Sequence, residues 1–384
     1  MNLSQKSKNF TESVIREMTR LSDKHGAINL SQGFPDFPAS MELKELACKY
    51  IMADYNQYPV TFGEYELRSA IAKKYKECYG LDYDPDENIT VTCGSTEAML
   101  ASLMAILNTG DEVILFEPFY ENYWPDTIIS GAIPRFVTLH QPDWHFDGVE
   151  LTSSFNDNTK AIIINTPHNP TGKVFDREEL SFIAELCNKY DVIAITDEVY
   201  EHIVYDGLFH IPIASLDNMI ERTITISGFS KTFSVTGWRI GYALALEELT
   251  KGIRKFHDFM TVGAPTPFQL ALADAVSLMK NYYKDLPGFY DKKRNLLLNG
   301  LNKIGFNSHP VRGSYYVMAD FSDISQGMSD YEFAQMLIKD IGVASVPGTS
   351  FYNANKQEGS HMVRFCFCKK EETLQEALKR LKEL

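Results

Sequence analysis

Short apolar runs alternate with helix-length stretches through the middle of this 384-residue chain. The runs are rich in Val and Ile, and most are separated by ten or more residues with helical character. This alternation is typical of strands in a parallel sheet that is covered by helices on both faces. It therefore predicts an α/β fold with a mostly parallel sheet. The runs are Ile89–Thr92, Glu112–Phe116, Ala161–Ile164, Val192–Thr196, Thr223–Ile226 and Gly241–Ala245.

The two ends of the chain follow different patterns. Near the start, helical periodicity over Thr11–His25 leads into an extended loop with two prolines, Ile28–Pro38. Two helical stretches, Pro267–Met279 and Tyr290–Leu301, follow the alternating region. Beyond residue 314, short strands and two helices predict a smaller α+β lobe.

Charge and cysteine usage exclude several classes of protein. The chain has 37 basic and 51 acidic residues, a net charge of −14, which argues against binding to nucleic acid or anionic membranes. No apolar run approaches the length of a membrane span, and the first residues lack the apolar core of a secretion signal, so we expect a cytoplasmic protein. The spacing of Cys and His matches no zinc site, so no metal is expected. The pair Cys366 and Cys368 is predicted to lie in the core.

The tract Ile226–Tyr242 sets Lys231 among small and hydroxyl residues, with Arg239 eight positions later. A partly desolvated lysine can be neutral and nucleophilic, as attack on an aldehyde requires. An arginine nearby can neutralise a phosphate. The tract therefore indicates a site for a phosphorylated aldehyde, with a surface lysine beside a glycine-rich turn as the alternative.

Polar residues follow two neighbouring strands of the predicted sheet. Asp197 ends an apolar strand, where an ionised carboxylate needs a partner such as a cationic ring nitrogen; helix capping is the alternative. Tyr200 lies three residues later and could hydrogen-bond a ring oxygen. Asn169 stands in the turn Asn165–Gly172, where it could donate to the same oxygen or form an Asx-turn. Such residues gather at the carboxyl edge of an open sheet.

Two further positions favour anionic groups. Ser95 and Thr96 join a strand to a helix, so the backbone amides there could bind a phosphate, or the side chains could cap the helix. Neither a Walker A loop nor a dinucleotide fingerprint is present. Arg364 interrupts an apolar strand, which is costly unless a carboxylate meets the guanidinium. That carboxylate belongs either to a substrate or to an internal salt bridge.

Six motifs, in this order, make the chain resemble the fold-type I, class I/II pyridoxal-phosphate aminotransferases along nearly its whole length. Within that family the resemblance is greatest to the methionine and kynurenine (glutamine) aminotransferases. It implies a seven-stranded, mostly parallel sheet in a large domain over residues 41–280, a small domain over 281–384, and an N-terminal segment over 1–40 that joins the small domain. The motifs are Asn29–Asp36, Asn56–Tyr58, Asn165–Gly172, Asp197–Tyr200, Ser230–Phe233 with Thr236–Arg239, and Val363–Phe365.

The resemblance also implies a role for each matching residue around pyridoxal 5'-phosphate. Lys231 is implied to hold the cofactor as a Schiff base and to move the substrate Cα proton, and Asp197 to pair with the ring nitrogen. The other implied contacts are Asn169 and Tyr200 with the ring oxygen, Tyr120 stacked on the ring, and Ser95, Thr96 and Arg239 with the phosphate. In the family homodimer, Tyr58 is implied to reach the phosphate of the neighbouring subunit. The implied binders of the substrate α-carboxylate are Arg364, Asn169 and the Gly33 backbone.

One position departs from the family pattern. A serine that often holds the phosphate is replaced by Gly228, so Ser227 or Ser230 is expected to take its place.

Small side chains at the positions expected to read the substrate favour a neutral amino donor. These positions are Thr96, Val262 and Gly263, and Ile15 and Met18 are expected to line the same pocket. Methionine is favoured, with aromatic amino acids, glutamine or kynurenine as further donors and a 2-oxo acid as acceptor. The alternatives are a cysteine-conjugate β-lyase and a non-catalytic effector domain that senses the cofactor.

Overall fold

The computed structural model of the protein describes residues 4–325 and 327–384. Its strands are β1 (Ile28–Asn29), β2 (Ile89–Thr92), β3 (Glu112–Glu117), β4 (Ile133–His140), β5 (His145–Phe146), β6 (Thr159–Asn165), β7 (Ile193–Asp197), β8 (Thr223–Gly228), β9 (Gly241–Leu244), β10 (Asn307–Ser308), β11 (Tyr316–Asp320), β12 (Val343–Ala344), β13 (Val346–Pro347) and β14 (Met362–Cys366).

Its α-helices are α1 (Gln5–Lys8), α2 (Val14–His25), α3 (Met41–Met52), α4 (Tyr65–Tyr79), α5 (Ser95–Ile106), α6 (Tyr123–Ser130), α7 (Gly148–Ser154), α8 (Arg177–Tyr190), α9 (Glu247–Met260), α10 (Thr266–Leu278), α11 (Lys280–Ile304), α12 (Asp330–Met336) and α13 (Glu371–Leu381). A π-helical turn, Leu337–Ile341, extends α12. None of the helices in the described ranges is long and apolar enough to cross a membrane.

The main sheet has the strand order β2-β9-β8-β7-β6-β3-β4-β5. Strands β8, β7, β6, β3 and β4 run parallel, whereas β9 is antiparallel to both of its neighbours. The predicted α/β fold is therefore confirmed. The seven longer strands form the mostly parallel sheet that the resemblance implied, and the two-residue β5 extends its edge.

Strand β4 was missed by the sequence pattern because its first half is not a continuous apolar run. Pro134 and Arg135 stand there, and Ile133 is 47% exposed. Only residues 137–139, with Val137 and Leu139, are fully buried. A strand near the edge of a sheet tolerates proline because one side of its ladder needs fewer hydrogen bonds.

A second, antiparallel sheet has the order β10-β11-β14-β13. Helix α11 packs beside it and is longer than predicted, running from Lys280 to Ile304 through Pro287. The predicted start at Tyr290 is therefore wrong, since the helix continues through Pro287 and Gly288, although such a pair normally ends a helix. Leu286 and Tyr290 flank that pair and are both buried in the same apolar cluster, so packing holds the helix continuous.

The N-terminal helix α2 packs against the elements of this second sheet. Met18 and Leu30 are fully buried in its apolar cluster. The helix begins at Val14, later than predicted, because the Ser13 hydroxyl caps it by accepting the Arg16 N–H. Gly26 ends it in the left-handed conformation with a φ of 62°, so the predicted end at His25 is confirmed. The domain boundaries near residues 40 and 280 stay a prediction.

Candidate active site

A cavity of about 400 Å³ lies at the carboxyl edge of the main sheet. Asn165, Asp197 and Gly228 end the neighbouring strands β6, β7 and β8 at this edge. The cavity is lined by nearly all the residues that the sequence selected, namely Gly33, Ser95, Thr96, Tyr120, Asn169, Asp197, Tyr200, Lys231, Arg239 and Arg364.

Lys231 lies in the turn that follows β8 and points its amine toward the N-terminal loop. The Lys231 Nζ is 3.5 Å from the carbonyl oxygen of Gly33. Burial lowers the pKa of this amine, and the positive charges of Arg239 and Arg364 lower it further, although the Asp197 charge opposes them. A larger neutral fraction makes the amine more nucleophilic.

Asp197 is buried at the base of the cavity. Its Oδ2 accepts a hydrogen bond of 2.7 Å from the Tyr123 hydroxyl, and its Oδ1 accepts one from the Val199 N–H at 3.3 Å. Burial raises the pKa of the carboxyl to about 6, and the two hydrogen bonds oppose that rise. A cationic partner in the cavity would relieve the cost of burying the charge.

Arg364 lies on β14, lines the cavity and is fully buried. Its Nη1 donates to Asn169 Oδ1 at 2.8 Å and its Nη2 donates to the Ser31 carbonyl at 2.6 Å. The rings of Tyr316 and Phe351 lie 4.2 and 4.8 Å from the guanidinium carbon. Within residues 4–325 and 327–384 no carboxylate pairs with it. The internal salt bridge left open by the sequence is therefore not formed among these residues.

The first turn of α5 forms an anion-binding corner together with Arg239. Gly94 precedes the helix with a φ of 83°, and no side chain of the described residues caps the first amides. The predicted alternative, an N-cap by Ser95 or Thr96, is therefore not formed. A Cβ at Gly94 would lie 2.5 Å from the Arg239 Nη2, which shows how closely the guanidinium approaches. Amides at a helix start and an arginine together suit a phosphate.

Strand β9 approaches the same corner so closely that it needs glycine. A Cβ at Gly241 would lie 2.4 Å from the Ser95 backbone nitrogen. Gly241 also pairs with Gly228 on β8, and a Cβ at Gly228 would lie 3.1 Å from the Ile240 carbonyl oxygen. This contact leaves little room for a side chain at position 228.

The two proposed substitutes for a serine at position 228 differ in where they lie. Ser227 is fully buried and donates to Glu201 Oε1 at 2.8 Å, away from the cavity. Ser230 lines the cavity. Only Ser230 is therefore placed to meet a ligand there.

Several other predicted residues lie outside the cavity of a single chain. Tyr58 is 85% exposed on the loop between α3 and α4. Val262 is also exposed, and Gly263 packs against Pro59. Met18 is fully buried in the core, whereas Ile15 lines the cavity.

Sequence reasoning missed residues whose roles depend on distant contacts. Tyr123 begins α6 and reaches Asp197 through a hydrogen bond of 2.7 Å from its hydroxyl, a contact that no local pattern marked. Tyr316 accepts a hydrogen bond of 3.2 Å from the Tyr200 hydroxyl. Arg16 and Glu121 also line the cavity, and no local pattern marked either of them.

Residues 25–381 match the family described as aminotransferase class I and II. The chain therefore belongs to this family, as the six motifs predicted, and it is an aminotransferase. The methionine aminotransferase of Escherichia coli strain K12 is 38% identical over 371 residues, covering 97% of this chain and 95% of that protein. Human kynurenine–oxoglutarate transaminase 1 is 37% identical over 390 residues, covering 94% and 92%. The solved structure of N-succinyldiaminopimelate aminotransferase from Mycobacterium tuberculosis has a TM-score of 0.96, with 38% identity and full coverage of both chains.

Aminotransferases of this family generally depend on pyridoxal phosphate, and the cavity fits that cofactor in three respects. Asp197 is a buried carboxylate without an ion-pair partner among the described residues, as a protonated ring nitrogen requires. The corner of α5 and Arg239 suits the phosphate. The Lys231 amine borders the same cavity with a lowered pKa.

Proposed function

We propose that this aminotransferase holds pyridoxal phosphate through Lys231 and moves the amino group of a neutral amino acid, with methionine favoured, to a 2-oxo acid. The observation that carries the proposal is that Lys231, Asp197 and Arg364 line one cavity, with no carboxylate paired to Arg364 in the described ranges. An amine, an anion for the ring nitrogen and a guanidinium for a carboxylate are the groups that the reaction needs.

Each of these side chains has a distinct task. Arg364 and Asn169 bind the substrate α-carboxylate, and their mutual hydrogen bond of 2.8 Å keeps both in place. Lys231 takes the proton from Cα and returns it during the exchange. Asp197 keeps the ring nitrogen protonated, while Asn169 and Tyr200 hydrogen-bond the ring oxygen. When bound, the cofactor supplies an electron sink for the negative charge that develops at Cα.

Other side chains that line the cavity supply the remaining contacts to the cofactor. Ser95, Thr96, Ser230 and Arg239 bind the phosphate, and Tyr120 stacks on the ring. Burial raises the pKa of Tyr120 to about 12, so its ring stays neutral at physiological pH. The Gly33 N–H donates to nothing within the described residues, which leaves it free for the substrate carboxylate.

Methionine is favoured as donor because an apolar wall borders the site. Ile15 and Phe34 line the cavity, and an unbranched thioether adapts well to such surfaces. The similarity to a methionine aminotransferase supports this choice. Aromatic amino acids, glutamine and kynurenine are the other candidate donors.

Substitution of Lys231 by Ala tests the covalent role. The variant should lose the borohydride-reducible link to the cofactor and should transaminate at least about 10²- to 10⁴-fold more slowly, because the proton carrier is gone. Mass spectrometry after reduction and a transamination assay measure the two effects. Lys255→Ala, an exposed lysine on α9, is the control. Retention of both properties by Lys231→Ala would overturn the proposal.

A panel of amino donors with one fixed oxo acid tests the substrate. Methionine is expected to give the highest kcat/KM, with aspartate and glutamate lower. Dominance of either acidic donor would contradict the neutral-donor proposal. Release of pyruvate and thiol from a cysteine conjugate, faster than transamination, would favour the β-lyase instead.

We also propose that the enzyme is a homodimer in which Tyr58 reaches the neighbouring active site. Tyr58 belongs to an exposed apolar patch, defined as Met52, Tyr55, Tyr58, Val60, Phe259 and Val262. Its two segments are joined by a hydrogen bond of 2.7 Å from the Thr266 hydroxyl to the Gln57 carbonyl. Several exposed large apolar side chains on two segments that touch each other are typical of a protein interface.

A further inference from the structure

More charged residues line the active-site cavity than the proposed function uses. The described part of the wall carries the cations Arg16, Lys231, Arg239 and Arg364 and the acids Glu121 and Asp197. In the proposed function, Lys231 and Asp197 act on the cofactor, Arg239 binds its phosphate, and Arg364 binds the substrate α-carboxylate. Arg16 is the remaining cation.

The surroundings of Arg16 leave its guanidinium available. Its side chain is exposed and makes no hydrogen bond or ion pair with any residue that the structure describes. Arg20, about one helical turn later, is instead paired with Glu12 at 2.7 Å. Of these two arginines of α2, therefore, the one that lines the cavity is the one without a carboxylate.

The start of α2 is fixed against the cavity wall, which sets the position of Arg16. Glu121 accepts hydrogen bonds from the Ser13 hydroxyl and from the Val14 N–H, the latter at 3.2 Å. Ser13 in turn caps the helix through the Arg16 N–H at 3.3 Å. Glu121 is thus engaged with the helix start and does not pair with Arg16.

We propose that Arg16 binds the distal carboxylate of a dicarboxylic 2-oxo acid, which serves as the amino acceptor. This inference rests on the proposed function, because it requires Arg364 to hold the α-carboxylate. A guanidinium binds a carboxylate in a planar, two-pronged geometry. A neutral donor leaves Arg16 in water at little cost, whereas a dicarboxylic acceptor brings a second anion to it. One cavity thereby accepts two substrates with different side chains.

The test uses the holoenzyme with saturating methionine and two acceptors, 2-oxoglutarate and the monocarboxylic 2-oxopentanoate. The measured quantity is the ratio of their kcat/KM values. Removing a hydrogen bond to a charged group predicts a fall in this ratio of about ten- to hundredfold in Arg16→Gln. Arg16→Lys should recover part of the loss because the charge is kept. Arg20→Gln is the matched control and should keep the wild-type ratio.

Two results would overturn the inference. Equal losses for both acceptors in Arg16→Gln would indicate general attraction of anions, and an unchanged ratio would show that Arg16 does not contact the acceptor. The proposed function is checked separately by mixing the wild-type holoenzyme with methionine alone and following the cofactor absorbance. Failure of that half-reaction would count against the proposed donor and not against Arg16.

Discussion

The Asp197 carboxylate is buried beside the Tyr123 hydroxyl, and burial holds its pKa near 6. In the unfolded chain the ordinary value is 3.8. The folded protein without cofactor therefore binds this proton more tightly than the unfolded one, and its stability falls as pH rises from about 4 to about 6. The difference between the two pKa values corresponds to about 3 kcal/mol.

Asp197→Asn should remove this pH dependence in the cofactor-free protein. The variant is expected to unfold at a higher urea concentration than wild type at pH 7.5 and to lose that advantage near pH 4, where both side chains are neutral. Urea unfolding of the two proteins at pH 4, 5.5 and 7.5 measures the effect. The same variant should bind the cofactor poorly, because no anion remains for the ring nitrogen. Lower stability of the variant at every pH would contradict the prediction.

Residues at strand ends could be predicted from the sequence, whereas their partners could not. Asp197 and Asn169 follow apolar runs, so local pattern and chemistry were enough to select them. The Tyr123 hydroxyl meets Asp197 from another element, and that contact depends on tertiary packing. The same applies to Arg16, whose importance appears only once α2 is seen against the cavity.

At the scale of elements, the close approach of β9 to the start of α5 is the tightest constraint on the anion-binding corner. Gly241→Ala would place a Cβ 2.4 Å from the Ser95 nitrogen, so backbone must move. We expect a loss of at least about 2 kcal/mol of stability together with weaker cofactor binding. Thermal unfolding and cofactor titration measure the two effects.

Gly288→Ala is the matched control for that substitution. Gly288 lies within α11, and a Cβ there meets nothing within 4 Å. Alanine should leave stability unchanged or raise it by up to about 1 kcal/mol, because glycine is the weaker helix former. If both substitutions had the same effect, close packing at Gly241 would not be the cause.

The sequence predicted elements well wherever apolar residues ran without interruption. Strands such as β6 and β7 were located to within two residues at each end. It failed where packing overrides local preference, as at Pro134 in β4 and Pro287 in α11. At Pro287 the flanking Leu286 and Tyr290 are buried, and that burial offsets the missing proline hydrogen bond. At Pro134 the position near the sheet edge accounts for the tolerance instead.

At the scale of the whole molecule, the proposed dimer makes the exposed apolar patch a test of the link between assembly and activity. Phe259 belongs to this patch and is 92% exposed. Phe259→Glu should shift the protein from dimer to monomer in analytical ultracentrifugation, because a charge is buried at the proposed interface. Cofactor affinity should fall in parallel, since Tyr58 of each chain would be withdrawn from its neighbour.

Phe209→Glu provides the comparison, because Phe209 is similarly exposed, at 82%, but lies outside the patch. It should leave the sedimentation of the protein unchanged. A Phe259→Glu protein that stays dimeric with full cofactor affinity would place the interface elsewhere.

Helix α2 carries Ile15 and Arg16 on the cavity wall, while Asp197 and Lys231 stand at or just beyond strand ends of the main sheet. The residues proposed to select the substrate and those proposed to carry the chemistry thus lie in separate parts of the chain. Substitutions in the first turns of α2 can change substrate preference without altering the residues proposed to carry the chemistry. Directed evolution aimed at a new donor should therefore begin with a library at residues 13–16 of this helix.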